Sequence, residues 1–199
     1  MKTFFTSLLI CAGLIAAAQC PALYTVSATT PSVNATAGTW TAPFTGGPYR
    51  IKITAAGAKG GSTFLNGGSG AIVEGEFIVN SGVTLYVAAG APGGGLSSGG
   101  SGGGGGSGVY ILNGSAKSIL ILAGGGGGTG NDQYRGAAGG GNTTTAGSNG
   151  SNSGGTGGTD GGGGTGGNPG GGGGGGYLSA GSDGTTNNSS DGVGTGGGH

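Results

Sequence analysis

The chain has 199 residues, of which 61 are glycine and 6 are proline, while Lys, Arg, Asp and Glu together make up only 6%. Ordinary globular chains carry about 7% Gly and about a quarter charged residues. Glycine near one-third suggests collagen, but runs such as Gly102–Gly106 and Gly170–Gly176 break the strict Gly-X-Y period of a triple helix. Six Lys/Arg balance six Asp/Glu, which removes the electrostatic footprint of a nucleic-acid or anionic-membrane binder.

Residues 1–18 read as a secretory signal peptide. Lys2 supplies the positive start, Phe4 to Ala17 is mostly apolar, and Ala16-Ala17-Ala18 has the small-residue pattern at which signal peptidase cleaves. The apolar stretch falls short of the roughly twenty residues that a bilayer core requires, so a secreted chain without membrane insertion is expected. Cleavage removes Cys11 and leaves Cys20 as a single thiol, either free or bridging to another chain. Residues 19–38, rich in Ser, Thr and Ala, read as a linker or stalk with room for a first short strand, and residues 39–199 as one glycine-rich domain.

From Thr39 to Ala123 five segments have strand chemistry, with β-branched and aromatic residues bounded by Gly, Asn or Pro. In the first, Tyr49, Ile51 and Ile53 share one face, with Arg50, Lys52 and Thr54 on the other. The second, Ala71 to Asn80, sets Val73, Phe77 and Val79 against Glu74 and Glu76. The third places Val83, Leu85 and Val87 opposite Thr84 and Tyr86. Val109–Leu112 and Ile119–Leu122 are apolar on both faces, which predicts fully buried strands. Asn80-Ser81-Gly82 and Asn113-Gly114-Ser115 read as hairpin turns, because Asn and Gly tolerate positive φ. No segment carries a helical period with caps, so essentially no α-helix is expected. Trp40, Pro43, Tyr49 and Phe77 are assigned to the core, since a small sandwich must bury the few large apolar side chains it has.

The glycine is concentrated: only four glycines precede residue 57. The runs also follow the strands through a repeated junction, ITAAGAKGG, YVAAGAPGGG and LILAGGGGG, with YRGAAGGG as a weaker copy. Ordering glycine is costly in backbone entropy, and no side chain offsets that cost. Lateral main-chain hydrogen bonds can, when many runs lie side by side. Polyproline II geometry permits this, because its polar groups all point outward, three residues per turn. The runs marked by Gly102 and Gly106, Gly124 and Gly128, and Gly170 and Gly176 are therefore expected to form a bundle of polyglycine helices on a small β-domain.

Chemistry-bearing groups are few. His199 is the only histidine and the last residue, so nucleophilic triads and His/Cys metal sites lack their base or ligand, and neither a catalytic nor a metal residue is assigned. Glu74 and Glu76 sit two apart on a polar strand face and read as solvated carboxylates. Asp183 to Asp191 lacks the ligand spacing and closing Glu of a calcium loop. G-x-G-x-x-G recurs only because glycine is everywhere, and no G-x-x-x-x-G-K-[ST] is present, so no cofactor is expected. Asn34, Asn113, Asn142, Asn149, Asn187 and Asn188 each begin an N-x-[ST] glycosylation acceptor.

In block order the chain resembles the glycine-rich extracellular module of the anaplastic lymphoma kinase and leukocyte tyrosine kinase receptors. The resemblance rests on Trp40-Thr41-Ala42-Pro43-Phe44-Thr45-Gly46, Tyr49-Arg50-Ile51-Lys52-Ile53-Thr54-Ala55-Ala56-Gly57-Ala58-Lys59-Gly60-Gly61, Thr84 to Gly90, Gly102–Gly106 with Val109-Tyr110, Leu120 to Gly126, Ala137 to Gly141, Gly170–Gly176 with Tyr177, and Asp191-Gly192-Val193. It implies a jelly-roll-like (tumour-necrosis-factor-like) β-sandwich with inserted polyglycine II helices in a hexagonal bundle. Similar modules finish with a further apolar strand, whereas this chain stops at His199. That implies either a truncated chain or a sheet edge that another chain completes.

These readings converge on a secreted, non-enzymatic structural or interaction module that meets an extracellular protein or glycan surface. A receptor-like ligand-binding domain and an ice- or polysaccharide-surface binder are the alternatives. The last would use Thr143–Thr145, Thr156, Thr159 and Thr165.

Overall fold

A computed structural model describes residues 23–28 (as main chain), 38–42, 48–63, 65–94, 100–130, 139–141, 147–150, 155–168, 170–185 and 196–198. Among them there are seven strands and no helix: β1 Leu23–Ala28, β2 Gly38–Thr41, β3 Tyr49–Ala56, β4 Ile72–Val79, β5 Thr84–Ala88, β6 Ser107–Asn113 and β7 Ala116–Ala123. The signal peptide, Cys20, Pro43 and the Asp191-Gly192-Val193 block lie outside the described residues.

The strands form two sheets, β1-β3-β4 and β2-β5-β6-β7. β1 runs parallel to β3, and every other pairing is antiparallel. Both sheets contribute to one core. Along β3, burial alternates as the period-two pattern requires, with Tyr49, Ile51, Ile53 and Ala55 buried. Ile51, Ile53, Leu85 and Val109 are sealed completely. Trp40, Val73, Phe77, Val83 and Val87 pack against this cluster as half-buried residues.

Three expectations need correction. Asn80-Ser81-Gly82 makes a tight turn, with Gly82 at φ 74° and the Val83 N–H donating to the Asn80 carbonyl at 3.3 Å. It does not close a hairpin, however, because β4 and β5 belong to different sheets. The turn instead carries the chain across the core, so that Val79 and Leu85 enter the same cluster from opposite sheets. The second correction concerns β6 and β7, which are not buried on both faces: Leu112 is 41% and Ile119 38% exposed, because the outer face of their sheet opens to solvent near the hairpin tip. The third is β2, where Thr39-Trp40-Thr41 pairs with β5 and the Thr41 and Thr84 hydroxyls meet at 2.9 Å. A strand of four residues is too short for a visible alternation. The β6–β7 hairpin itself closes at Gly114-Ser115 as expected, with Gly114 at φ 64°.

The strand register explains where the glycine goes. Ala56 pairs with Ile72, Ala88 with Gly108, and Ser107 with Ala123. The chain therefore leaves for, or returns from, each glycine excursion at the same end of its sheet. Alanines mark these exits: Ala55, Ala58, Ala71 and Ala123 are all buried. At the corresponding end of β5, Ala88 is exposed instead.

Beyond the junction, main chain packs against main chain. The Ser101 and Gly104 N–H groups donate to the carbonyls of Thr129 and Gly126 at 2.9 and 2.7 Å. Those of Gly102 and Gly105 donate to Gly94 and Ala91 at 2.8 and 2.9 Å. In return the Ser101 and Gly104 carbonyls accept from Gly172 and Gly175, both at 2.9 Å, and those of Gly102 and Gly105 accept from Gly61 and Ala58 at 2.8 and 3.0 Å. Each neighbour is met at residue i and again at i+3. The same step recurs where Gly125 and Gly128 donate to Gly175 and Gly172. Added side chains would not fit: a Cβ on Gly104 would collide with the Ala58 carbonyl, and one on Gly125 with that of Gly104.

Candidate functional site

The described residues offer three features: the glycine layer, a charged face on the three-stranded sheet, and a groove where the four-stranded sheet meets the glycine layer. In the glycine layer, Gly102, Gly128 and Gly170 are buried, while Gly106, Gly124 and Gly176 are half-buried near the sheets. At its far side the layer is closed by hydroxyls. The Ser101 Oγ donates to the Gly61 carbonyl at 2.7 Å and accepts the Thr129 N–H at 2.6 Å. The Thr63 N–H donates to Thr129 Oγ1 at 3.0 Å.

The charged face belongs to β3 and β4. Lys52 Nζ lies 2.7 Å from Glu74 Oε1, and Arg50 Nε lies 3.2 Å from Glu76 Oε2. These are the diagonal cross-strand contacts that the register allows, since Lys52 directly opposes Glu76. The hydrogen bond from Lys52 holds the Glu74 carboxyl below its ordinary range, helped by the Thr54 hydroxyl at 3.2 Å. Glu74 in turn raises Lys52. Both carboxylates, expected to be merely solvated, are thus engaged by cations. Ile72 and Ile78 flank them on the same face, 65% and 73% exposed.

The groove, about 790 Å³, has the outer face of β6 and β7 as its floor. Gly108, Tyr110, Ile119 and Leu122 lie there, with Lys117 toward the hairpin tip. Glycine main chain around Gly161-Gly162 and Gly174–Gly176 forms the wall, and Tyr177 and Leu178 stand at its edge. The floor has an internal brace. Tyr110 directly opposes Tyr86 on β5, their rings stacked at 5.3 Å and 14° apart. Lys117 reaches over the Tyr110 ring, Nζ 5.1 Å from its centroid, a distance at which the ring quadrupole attracts a cation. Sequence reasoning placed Tyr86 on the outer face but missed the groove. Its signal was the Asn113-Gly114-Ser115 hairpin, whose register brings Tyr110 opposite Ile119 and Leu112 opposite Lys117.

Two of the six acceptor asparagines are described. Asn113 lies exposed at the hairpin tip, its Nδ2 donating to Ser118 Oγ at 2.7 Å. Asn149 is exposed, its Oδ1 accepting the Gly157 N–H at 2.9 Å. Asn34, Asn142, Asn187 and Asn188 lie outside the described residues. Of the threonines, Thr156 and Thr165 bring their hydroxyls to 2.9 Å and Thr159 is exposed, while Thr143–Thr145 lie outside. Among the described residues, no group of three or more His, Cys, Asp or Glu is placed to hold a metal ion, and no helix is long and apolar enough to cross a membrane. Set against protein-family models, curated proteins and solved structures, the chain matches none.

Proposed function

We propose that this chain is a secreted, non-enzymatic structural or interaction module, in which a jelly-roll-like sandwich carries polyglycine II helices in a hexagonal bundle, as in the receptor modules it resembles. The observation that carries this reading is the three-residue step of the lateral hydrogen bonds. Segment 100–106 bonds to segments around 58–61, 91–94, 126–129 and 172–175, and through Gly106 to Gly198. A threefold helix aims its polar groups in three directions as donors and three as acceptors, so five neighbours approach the six of a hexagonal array. The pairing of both strand glutamates with cations favours a structural role for them over acid–base work.

Such a bundle is stiff, uncharged and nearly free of side chains, which suits a spacer or a contact surface whose recognition lies at its ends. Amide exchange on the mature protein (residues 19–199) tests this. The amides of Gly102, Gly104, Gly125 and Gly126 are expected to be strongly protected and lost together in one cooperative melt. Exchange at free-peptide rates would remove the bundle. Fusing residues 1–18 to a leaderless reporter tests export separately.

A further inference from the structure

We infer that the groove over β6 and β7 binds a small amphipathic organic anion, one with an aryl or alkyl body and a single carboxylate or sulfonate. Shape is the first argument. At about 790 Å³ the groove falls within the range of small-molecule sites, which combine apolar lining with a few fixed polar groups. Ile119, Leu122 and the exposed Leu178 supply apolar contact, and the glycine wall lets a flat ligand approach bare main chain.

Charge is the second. Among the described residues, Lys117 is the only charged one lining the groove. The Lys and Arg of β3 are consumed by Glu74 and Glu76 on the other sheet, but Lys117 has an aromatic ring as its partner and no carboxylate among the described residues. One uncompensated cation beside low-dielectric walls attracts one anion. The stack of Tyr86 on Tyr110 holds the ring that positions the ammonium, so its orientation is set before the ligand arrives.

The probe is 8-anilinonaphthalene-1-sulfonate, compared with N-phenyl-1-naphthylamine, which has a similar aromatic body without the sulfonate. The folded protein is expected to bind the sulfonate saturably, one per chain. Lys117→Gln is expected to weaken it about tenfold, Lys117→Arg to retain it, and the neutral amine to bind both proteins alike. Leu178→Glu, at the rim and away from the strands, is expected to weaken the sulfonate by repulsion. Non-saturable binding, or equal sulfonate affinity in wild type and Lys117→Gln of matching melting temperature, overturns the proposal. It takes from the module reading only the ordered wall. Protected glycine amides together with an ignored probe sink the groove alone, whereas unprotected amides sink the module.

Discussion

Ser101 and Thr129 exchange hydrogen bonds in both directions: the Ser101 N–H donates to the Thr129 carbonyl at 2.9 Å, and the Thr129 N–H donates to Ser101 Oγ at 2.6 Å. Both residues are completely buried. In a layer built mostly from glycine, this hydroxyl does what a neighbouring carbonyl does elsewhere. Ser101→Ala leaves the Thr129 N–H with only a long 3.4 Å contact to the Gly61 carbonyl. Stranding a buried donor costs about 1–3 kcal/mol, so chemical denaturation of Ser101→Ala is expected to show a loss of that size with an unchanged slope.

Glycine positions in the layer are not equivalent, and the difference is measurable. Gly173 is buried and hydrogen-bonded to Ser182 and Gly197 at 2.9 and 2.8 Å, and a Cβ there would strike the Gly164 carbonyl. Main chain on both sides cannot swing away as a side chain would. Gly173→Ala is expected to cost at least the about 1–3 kcal/mol of an overpacked core. Gly94 accepts from the Gly102 N–H at 2.8 Å, yet no atom of the described residues lies within 4 Å of its missing Cβ. Gly94→Ala is expected to be neutral, or stabilising by about 0.4–1 kcal/mol through the unfolded chain. Equal melting temperatures for the two variants would contradict close packing at Gly173.

Much of this fold was legible because period two survives wherever one face meets the core. Tyr49, Ile51 and Ile53 were placed inward by spacing alone, and they are buried. The Ala-Gly junctions marked the strand ends, since β3, β5 and β7 close at Ala56, Ala88 and Ala123. What spacing could not reveal was partnership between sheets. Asn80-Ser81-Gly82 has the residues of a hairpin turn, but whether its strands pair with each other depends on where Val79 and Leu85 find their core. The groove was hidden for a related reason. Tyr86, Tyr110 and Lys117 are far apart in sequence and meet only through the register of β5, β6 and β7.

The Lys52–Glu74 pair should report on pH from both directions. Glu74 is held below its ordinary value by the Lys52 hydrogen bond, so its contribution is present above the ordinary carboxylate range and lost as pH falls through the depressed value. Lys52 is raised, so its contribution is complete below the ordinary lysine value and lost as pH rises through the raised one. The pair therefore persists across neutral pH and fails at both extremes. In a carboxyl NMR titration the Glu74 midpoint is expected to lie below that of an exposed glutamate and to move up in Lys52→Met. An unmoved midpoint would mean that the ion pair does not form in solution. High salt is expected to shrink the difference, because the partners are exposed.

Leu85 and Ile78 test the inward and outward faces with a single kind of truncation. Leu85 is fully buried at the centre of the shared core, whereas Ile78 is 73% exposed on β4, an edge strand of the three-stranded sheet. Leu85→Ala is expected to cost about 2–5 kcal/mol, as cavity-forming changes in cores do. Ile78→Ala removes carbons that already face water and is expected to stay within about 0.5 kcal/mol. Thermal melts compare the two directly. The outer face of β4 alternates Ile72, Glu74, Glu76 and Ile78, and two such strands meeting antiparallel about Gly75 would set Glu74 against Glu76 of the other copy. Like charges directly opposite disfavour that pairing, which is how edge strands are kept from joining. Glu74→Gln with Glu76→Gln is therefore expected to raise self-association in analytical ultracentrifugation, and adding Ile78→Thr to reverse it. A monomer throughout the series would show that the glutamates do not guard this edge.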